Sequence, residues 1–598
     1  MNPETERFAI DDVAGLDLPD GTVVARNRRT GAQMPLPGEV FNAITHCDAF
    51  RTMPGHIAHL AGPQARGREG EIQHILQTVI NGGLMLSASA ITSKLQPRPG
   101  AAISEPPVAA IITCERPQAL SRLLDSMAGN CALENLDRLI IVDDSRSREA
   151  LTANQVAIRD AETGLAGRGL KQSLHFGPDD AAAMVDYLVQ VLPQHEKGIR
   201  FLLDRRGREN EVTTGISRNI AQLLGAAHPL LVFDDDVLCT VMDPPTPETG
   251  VEFSSRQRGC RFYVSDSDWQ AHRSQKGACP IERHMQLLGS PLDSALANLG
   301  QTTPDASALE FAAPAFARRL QPDCRIRVTQ CGAYGDPGSA GIEWVAVLPP
   351  EARAELAGVT DDVTVSEAER NCWLGRSRPV FEPRANMSQL TGFDGRGYLP
   401  PYFPIDRGQD RRFGAMTEFL YPSDLAADLA FALPHLPTPR RTWREGHRGF
   451  SLPFTLDHFL NDFITGQIAQ CGARDVLRRN DWLALQYDDL SDSPRDRILE
   501  ITSAHWSRNR LDWLTRLASA LDQSAGRPDP MAPFLRQAID QLRRSGIGDF
   551  DSVQLSGPPH HLSGHAVLEY WRNAWREFAA GLRAWPEVRD AVRDYVPN

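Results

Sequence analysis

An α/β protein built around a doubly wound, largely parallel sheet is what this sequence predicts, on three observations. Between residues 108 and 234, apolar strand-like runs alternate with amphipathic helical patterns, as crossover connections require. The runs are continuously apolar rather than alternating, which marks strands buried on both faces. The run Leu230-Leu231-Val232-Phe233 then passes directly into Asp234-Asp235-Asp236, delivering hard oxygen ligands to the carboxyl edge of the sheet, where such folds bind their ligands.

Taken in order, the chain opens with a small unit. Thr22 to Asn27 reads as a strand and Thr30-Gly31 as a turn. Three helices follow: one over Pro37 to Cys47 with Val40, Phe41 and Ile44 at helical spacing, one starting at Thr52 and Pro54, and one carrying Ile72, Ile75, Leu76 and Val79 and closed by Gly82-Gly83. Four prolines between residues 94 and 107 predict a semi-rigid linker. The first sheet strand is Val108 to Thr113, followed by a helix presenting Leu120, Leu123, Leu124 and Met127. Leu139 to Val142 is the next strand, Met184, Tyr187, Leu188 and Val191 mark a helix, and Phe201 to Leu203 reads as a short strand. A helix with Ile216, Ile220, Leu223 and Leu224 ends at Gly225, just before the aspartate-tipped strand.

From about 244 to 385 the pattern weakens into Gly, Pro and Ser with strand-like pieces at Arg325 to Thr329 and Ile342 to Val347, read as an insertion. Past 450 the chain is helical, and Leu568, Trp571, Trp575, Phe578 and Leu582 form one apolar stripe that reads as core or a docking face. The expected organisation is thus an amino-terminal unit over 1–93, a linker over 94–107, the α/β domain over 108–448, and a helical region over 449–598.

At 598 residues, several separate cores are expected. The apolar share of 41% and charged share of 23% are those of a folded globular chain. A net charge of −13 argues against broad nucleic-acid binding, which needs clustered Lys and Arg. No stretch approaches the roughly 20 apolar residues of a membrane span, and Met1 to Ile10 lack an apolar signal core, so a cytoplasmic location without an integral membrane segment is expected. The ten cysteines form no C-x-x-C pair, which disfavours structural zinc and a disulfide framework.

Four pieces of sequence carry chemistry. Thr113-Cys114-Glu115-Arg116-Pro117 sits where the first strand meets its helix. Val142-Asp143-Asp144-Ser145 ends the second strand, where an acid accepts hydrogen bonds from a nucleobase or ribose. Gly215-Ile216-Ser217-Arg218-Asn219 opens a helix, whose free N–H groups and Arg218 favour diphosphate oxygens. The triple aspartate is the fourth. In this order the pieces resemble the GT-A glycosyltransferases of the family 2 type, whose pattern runs T-x-x-R-P, V-D-D-x-S, G-x-x-x-R-N and D-x-D. The third piece is one residue shorter here, so only Arg218 and Asn219 carry over.

The resemblance covers about 107 to 240 and resumes near 386, from Asn386-Met387-Ser388 through Leu399-Pro400-Pro401-Tyr402-Phe403-Pro404 to Arg407-Gly408-Gln409-Asp410-Arg411-Arg412-Phe413-Gly414. It implies a GT-A core that binds a nucleotide-diphosphate sugar and moves the sugar to an acceptor hydroxyl, with inversion. Asp410 takes the place of the catalytic base, with Gln409 where a Glu is commoner. Thr113, Glu115, Arg116, Asp143, Asp144, Arg218, Asn219, Asp234 and Asp235 are the expected donor-binding residues. Asp234 and Asp236 are the expected ligands of Mn²⁺ or Mg²⁺, joined by a downstream histidine: His435, in a loop held extended by Pro434 and Pro437, with His447 in reserve.

Residues 20 to 90 resemble the small winged-helix PqqD-like domains that recognise peptides, which makes a peptide acceptor as open as a glycan. The plainer reading is a fold used for packing or for oligomerisation. His56 and His59 there are expected on a helix surface. Two other classes compete for the whole chain: a haloacid-dehalogenase-like phosphatase using the first aspartate as nucleophile, and a binding scaffold that has lost turnover. A nucleotidyltransferase would be expected to show a Gly-rich loop after the first strand, which Thr113 to Pro117 lacks.

Overall fold

The computed structural model of the chain describes residues 5–61, 67–100, 105–208, 211–254, 256–272, 274–275, 278–339, 341–386, 389–446, 456–544, 562 and 565–595. His447, Met387 and Ser388 lie outside the described residues.

The amino-terminal unit contains six short strands: β1 (Arg7–Ile10), β2 (Val13–Asp17), β3 (Thr22–Asn27), β4 (Gln33–Pro37), β5 (Arg51–Thr52) and β6 (Met85–Ser87). They pair as two antiparallel sheets, β5-β1-β6 and β2-β3-β4. The three expected helices are present as Gly38–Thr45, Met53–Leu60 and Glu69–Asn81, and Thr52 caps the second by accepting from the Gly55 N–H. His56 departs from its expected surface position: it is buried, and its Nε2 meets the Phe8 carbonyl at 2.7 Å. Buried Asp11 ties the unit to the rest of the chain, taking hydrogen bonds from Asn27 at 2.8 Å and from Arg318 at 2.9 Å.

The main body is a thirteen-stranded mixed sheet flanked by helices. Its strands are β7 (Val108–Thr113), β8 (Arg138–Asp143), β9 (Ser173–Phe176), β10 (Pro229–Asp234), β11 (Val241–Met242), β12 (Glu252–Phe253), β13 (Gly259–Phe262), β14 (Ser274–Gln275), β15 (Ile326–Gly335), β16 (Cys372–Gly375), β17 (Val380–Glu382), β18 (Leu390–Asp394) and β19 (Leu425–His435). The long path runs β12-β17-β19-β15-β18-β10-β7-β8-β9. Strands β10, β7, β8 and β9 are parallel, β18 runs against both β10 and β15, and β15 is parallel to β19. The carboxyl ends of β7, β8, β10, β15 and β19 therefore open at one edge. Successive residues of β7 face opposite cores, Val108 and Ala110 one way and Ala109 and Ile111 the other, which is why the strand carries no polar alternation.

Two strand expectations are corrected. Phe201 to Leu203 is not a strand but the end of a helix, Glu196–Leu203. Ile199, Phe201, Leu202 and Leu203 are all buried, which hides the helical period, while Arg200 bonds Glu196 and Asp204 four residues away on either side. Ile342 to Val347 is a short helix at Glu343–Ala346 instead of a strand. The segment 244–385, read as an insertion, supplies β12, β13, β15, β16 and β17, and β15 lies between β18 and β19 in the middle of the sheet. Glycines at 332 and 335 conceal the far half of β15 from an apolar-run reading.

The carboxy-terminal stripe is core. Leu568, Trp571, Trp575, Phe578 and Leu582, on the helix His565–Ala591, are all buried and share one cluster with Val108, Ile140 and Val232 of the sheet. The helix packs on Val476–Asp492 and on Glu196–Leu203. Its Trp571 and Phe578 rings lie 5.9 and 4.8 Å from Phe403, and the Arg412 guanidinium sits 4.4 Å from the Phe403 ring and 5.9 Å from Trp571. No helix among the described residues is long and apolar enough to cross a membrane.

Trp575 has no exposed surface, so Trp575→Ala should cost about 3–5 kcal/mol of stability. Urea denaturation checks this; a change within about 0.5 kcal/mol would mean that the stripe faces solvent.

Candidate functional site

The edge where β7, β8, β10, β15 and β19 end collects the acidic residues singled out in the sequence. Asp234 ends β10, and its N–H bonds the Gln389 carbonyl beside β18 at 2.9 Å. The following turn crosses to β19: Leu436 N–H donates to the Asp236 carbonyl at 2.8 Å, and Val237 bridges His435. His435 is thus the last residue of a strand, not part of a loop, and Pro434 is accommodated within that strand.

The three aspartates divide between two arginines: Asp235 and Asp236 share Arg116, and Asp234 faces Arg218. Thr113 Oγ1 donates to Asp235 at 2.8 Å, and Arg116 reaches Asp235 at 3.2 Å and Asp236 at 2.9 Å. Asp236 also lies 3.2 Å from His435 Nε2. Asp234 turns to Arg218 at 3.1 Å. Burial pushes Asp234 up to about 7, with the charges of Asp236 and Asp410 adding to the rise against Arg218. Burial and the Asp236 charge likewise lift Asp235 to about 6. At Asp236 burial acts in the same sense, but the His435 contact, with Arg116 and Arg441, outweighs it and holds the carboxyl at about 2.

Arg218 joins the first half of the site to the second. Its side chain is 6% exposed, and its Nε lies 3.4 Å from Asp410 without a hydrogen bond to any acceptor. Asp410 stands in the first turn of the helix Gln409–Leu420, whose preceding residue, Gly408, takes a left-handed φ of 89°. Arg218 stands in the first turns of Thr214–Leu224. Any side chain at Gly215 would strike the Phe403 carbonyl, so this glycine lets the segment Phe403-Pro404 pass against the start of Thr214–Leu224. The Tyr402 ring covers the guanidinium at 5.6 Å.

The four remaining expected residues are placed differently from one another. Glu115 accepts from Ser147 N and Oγ and from Arg146 N, which holds its carboxyl below the usual range and fixes the 145–147 loop beside the cleft. Asp143 is an interior anchor, bonded by Asn154, His175 and the Ser145 N–H, which together overcome burial and lower its pKa. Asp144 is raised by burial even though Arg205 and Thr213 bond it. Asn219, expected on the donor side, is instead fully buried, with its amide donating to the Leu202 and Tyr402 carbonyls and accepting from Tyr402 N. It positions Tyr402 and does not face the cleft.

Sequence reasoning missed Arg205, Thr213 and Asp336. The Asp336 carbonyl accepts a hydrogen bond from His435 Nδ1 at 2.8 Å. A carbonyl only accepts, so Nδ1 carries a hydrogen and Nε2 is the atom that meets Asp236. Two lone pairs would face each other there unless Nε2 binds a proton or a metal ion. A proton is consistent with the raised His435 pKa, where the Asp236 contact overcomes burial. The turn residues Gly335-Asp336-Pro337-Gly338 were the available signal.

Among the described residues no three His, Cys, Asp or Glu side chains are grouped so as to hold a metal ion, and Asp234 is directed to Arg218. The donor set still suits a hard divalent cation in its chemistry: one carboxylate and one imidazole nitrogen in contact, its other nitrogen fixed by a carbonyl, and two further carboxyls raised by burial and by neighbouring carboxylates. No family of known proteins, no curated protein and no solved structure matches this chain.

The placement of Asn219 sets a specific expectation. Asn219→Ala leaves buried backbone groups of Leu202 and Tyr402 unpaired and should cost about 1–3 kcal/mol per lost partner in thermal unfolding. A variant of unchanged stability would contradict the interior placement.

Proposed function

We propose that this chain is a metal-dependent glycosyltransferase of the GT-A type that moves a sugar from a nucleotide-diphosphate donor to an acceptor hydroxyl with inversion. The observation that carries the reading is the meeting of Asp234 and Asp410 on one guanidinium, at 3.1 and 3.4 Å from Arg218, although the two acids belong to separate parts of the chain. The strand-end acids and the helix-borne acid thus converge on one cleft, as the sequence resemblance requires of donor site and base.

In this reading Asp410 accepts the proton of the attacking hydroxyl, and its place in the first turn of a helix directs the carboxylate into the cleft. Arg218, with a buried Nε–H that lacks an acceptor, supplies a donor for diphosphate oxygens and positions Asp410. Arg116, half exposed beside Asp235 and Asp236, supplies a second. Asp236 and His435 would hold Mn²⁺ or Mg²⁺, with Asp234 joining once Arg218 turns to the donor. A bound cation of this kind stabilises the departing diphosphate as a Lewis acid. Glu115 and Asp144 border the side where a nucleoside would lie, on the rule that such sheets bind at their carboxyl edge. The acceptor, glycan or peptide, is not specified by these residues.

Asp410→Asn should lower turnover about 10²–10⁴-fold while leaving donor affinity nearly unchanged. Asp236→Ala should abolish both metal-dependent donor binding and transfer. Calorimetric titration of sugar nucleotides with Mn²⁺, paired with product assays, separates the two; normal turnover by Asp410→Asn would refute the assignment of the base.

The pH response has a definite sign. Because the His435 proton must leave before Nε2 binds metal, Mn²⁺ affinity should rise with pH through the raised His435 value, above 6.5, and level off beyond it. Titrations at pH 6 and pH 8 in buffers of different ionisation heat test this through proton release on binding. Equal affinity at both pH values, with no protons released, would count against His435 as a ligand.

A further inference from the structure

On the side of His435 away from Asp236 lies a second concavity, lined by Asp336, Glu369, Arg370, Arg440 and Arg441 together with His435 itself. Three guanidinium groups face two carboxylates there. Asp336 takes Arg441 at 2.8 Å, and Glu369 takes Arg440 at 2.5 Å. Arg370 has only a long ion pair, to Asp336. It is 1% exposed, its NH2 donates to the Ser339 carbonyl at 2.7 Å, and its Nε stands 3.9 Å from Asp336, beyond hydrogen-bond reach. The buried Nε–H groups of both Arg370 and Arg441 have no acceptor.

Buried guanidinium donors without acceptors are costly, and a group that only accepts, carries negative charge and presents two oxygens is what satisfies them. We propose that this pocket binds a compact oxyanion, a carboxylate or phosphate group, through Arg370 and Arg441, with Arg440 at the mouth. The Trp269 ring supports Arg440 from 5.4 Å. On the glycosyltransferase reading the donor's diphosphate would lie on the Nε2 side of His435, with Asp236, whereas this pocket adjoins Asp336 on the Nδ1 side, so the anion is a different group. It comes from an acceptor that carries an acid group or from a separate small anion. Because Asp336 bonds His435 and Arg441 alike, occupancy would be felt at the imidazole.

The test uses the full chain, metal-free in EDTA, titrated with inorganic phosphate at constant ionic strength and followed by calorimetry and by thermal unfolding. Wild type should show saturable binding, and Arg441→Gln should weaken it at least tenfold while keeping the unliganded melting temperature within a few degrees. Arg440→Gln, at a half-exposed position, should weaken it less and guards against a folding defect in the first variant. Absence of saturable binding, or equal binding by Arg441→Gln, overturns the proposal; the second result would place the phosphate at Arg116 and Arg218. Neither readout requires transfer activity, so failure here is distinct from failure of the glycosyltransferase reading. With phosphate shown to bind, its effect on sugar-nucleotide hydrolysis separates the two sources: a changed rate marks an effector, an unchanged rate an acceptor-borne acid.

Discussion

A guanidinium buried between two carboxylates organises this molecule. Removing Arg218 from water is expensive, and the cost is offset only if its partners are held in good geometry. The structure supplies that geometry from three directions: Asp234 from the end of a central strand, Asp410 from the first turn of a helix, and Tyr402 as a lid over the guanidinium plane. Gly215 and Asn219 lie on the same helix as Arg218 and serve the same end, one by lacking a side chain where the Phe403 carbonyl approaches, the other by fixing the Tyr402 backbone. Three residues of one short segment thus lock two otherwise unrelated regions together.

Beside this pair runs a second chain of contacts, from Arg116 through Asp236 to His435, Asp336 and Arg441. It alternates in charge and crosses the sheet edge from β7 to β19. The contrast among the three adjacent aspartates follows from it. Asp236 belongs to the chain and is held strongly acidic, whereas Asp234 and Asp235 are raised by burial, with the Asp236 charge adding to the rise. Identical residues in sequence are thereby made chemically unequal by what they touch.

Much of this was legible in the residues. Continuous apolar runs located β7, β8 and β10, because strands buried on both faces need no polar alternation, and the acids at their ends marked the open edge. The stripe through Trp571 and Trp575 was equally plain as a buried helix face. Legibility failed where local signals compete. The helix Glu196–Leu203 buries nearly every residue of its apolar run and so loses its period, and the glycines of β15 conceal the far half of a strand whose start, Arg325 to Thr329, was readable. At the site, residue type revealed which acids matter but not their partners. Asn219 looked available for a ligand, yet its amide is consumed by backbone groups, and Asp336 gave only a turn signature although its carbonyl sets the histidine's orientation. Such roles depend on contacts between distant segments, which periodicity does not encode.

The Arg412 guanidinium, packed against Phe403 and Trp571, couples the helix that bears Asp410 to the last long helix of the chain. The tail end of the polypeptide therefore buttresses the segment that carries Asp410 and is not an appendage, since its Trp571 and Phe578 share one core with the sheet strands. Substitution at Trp571 would therefore reach the helix of Asp410 through Arg412 and Phe403, giving selection a way to tune the centre from a distance without altering any group that meets a ligand.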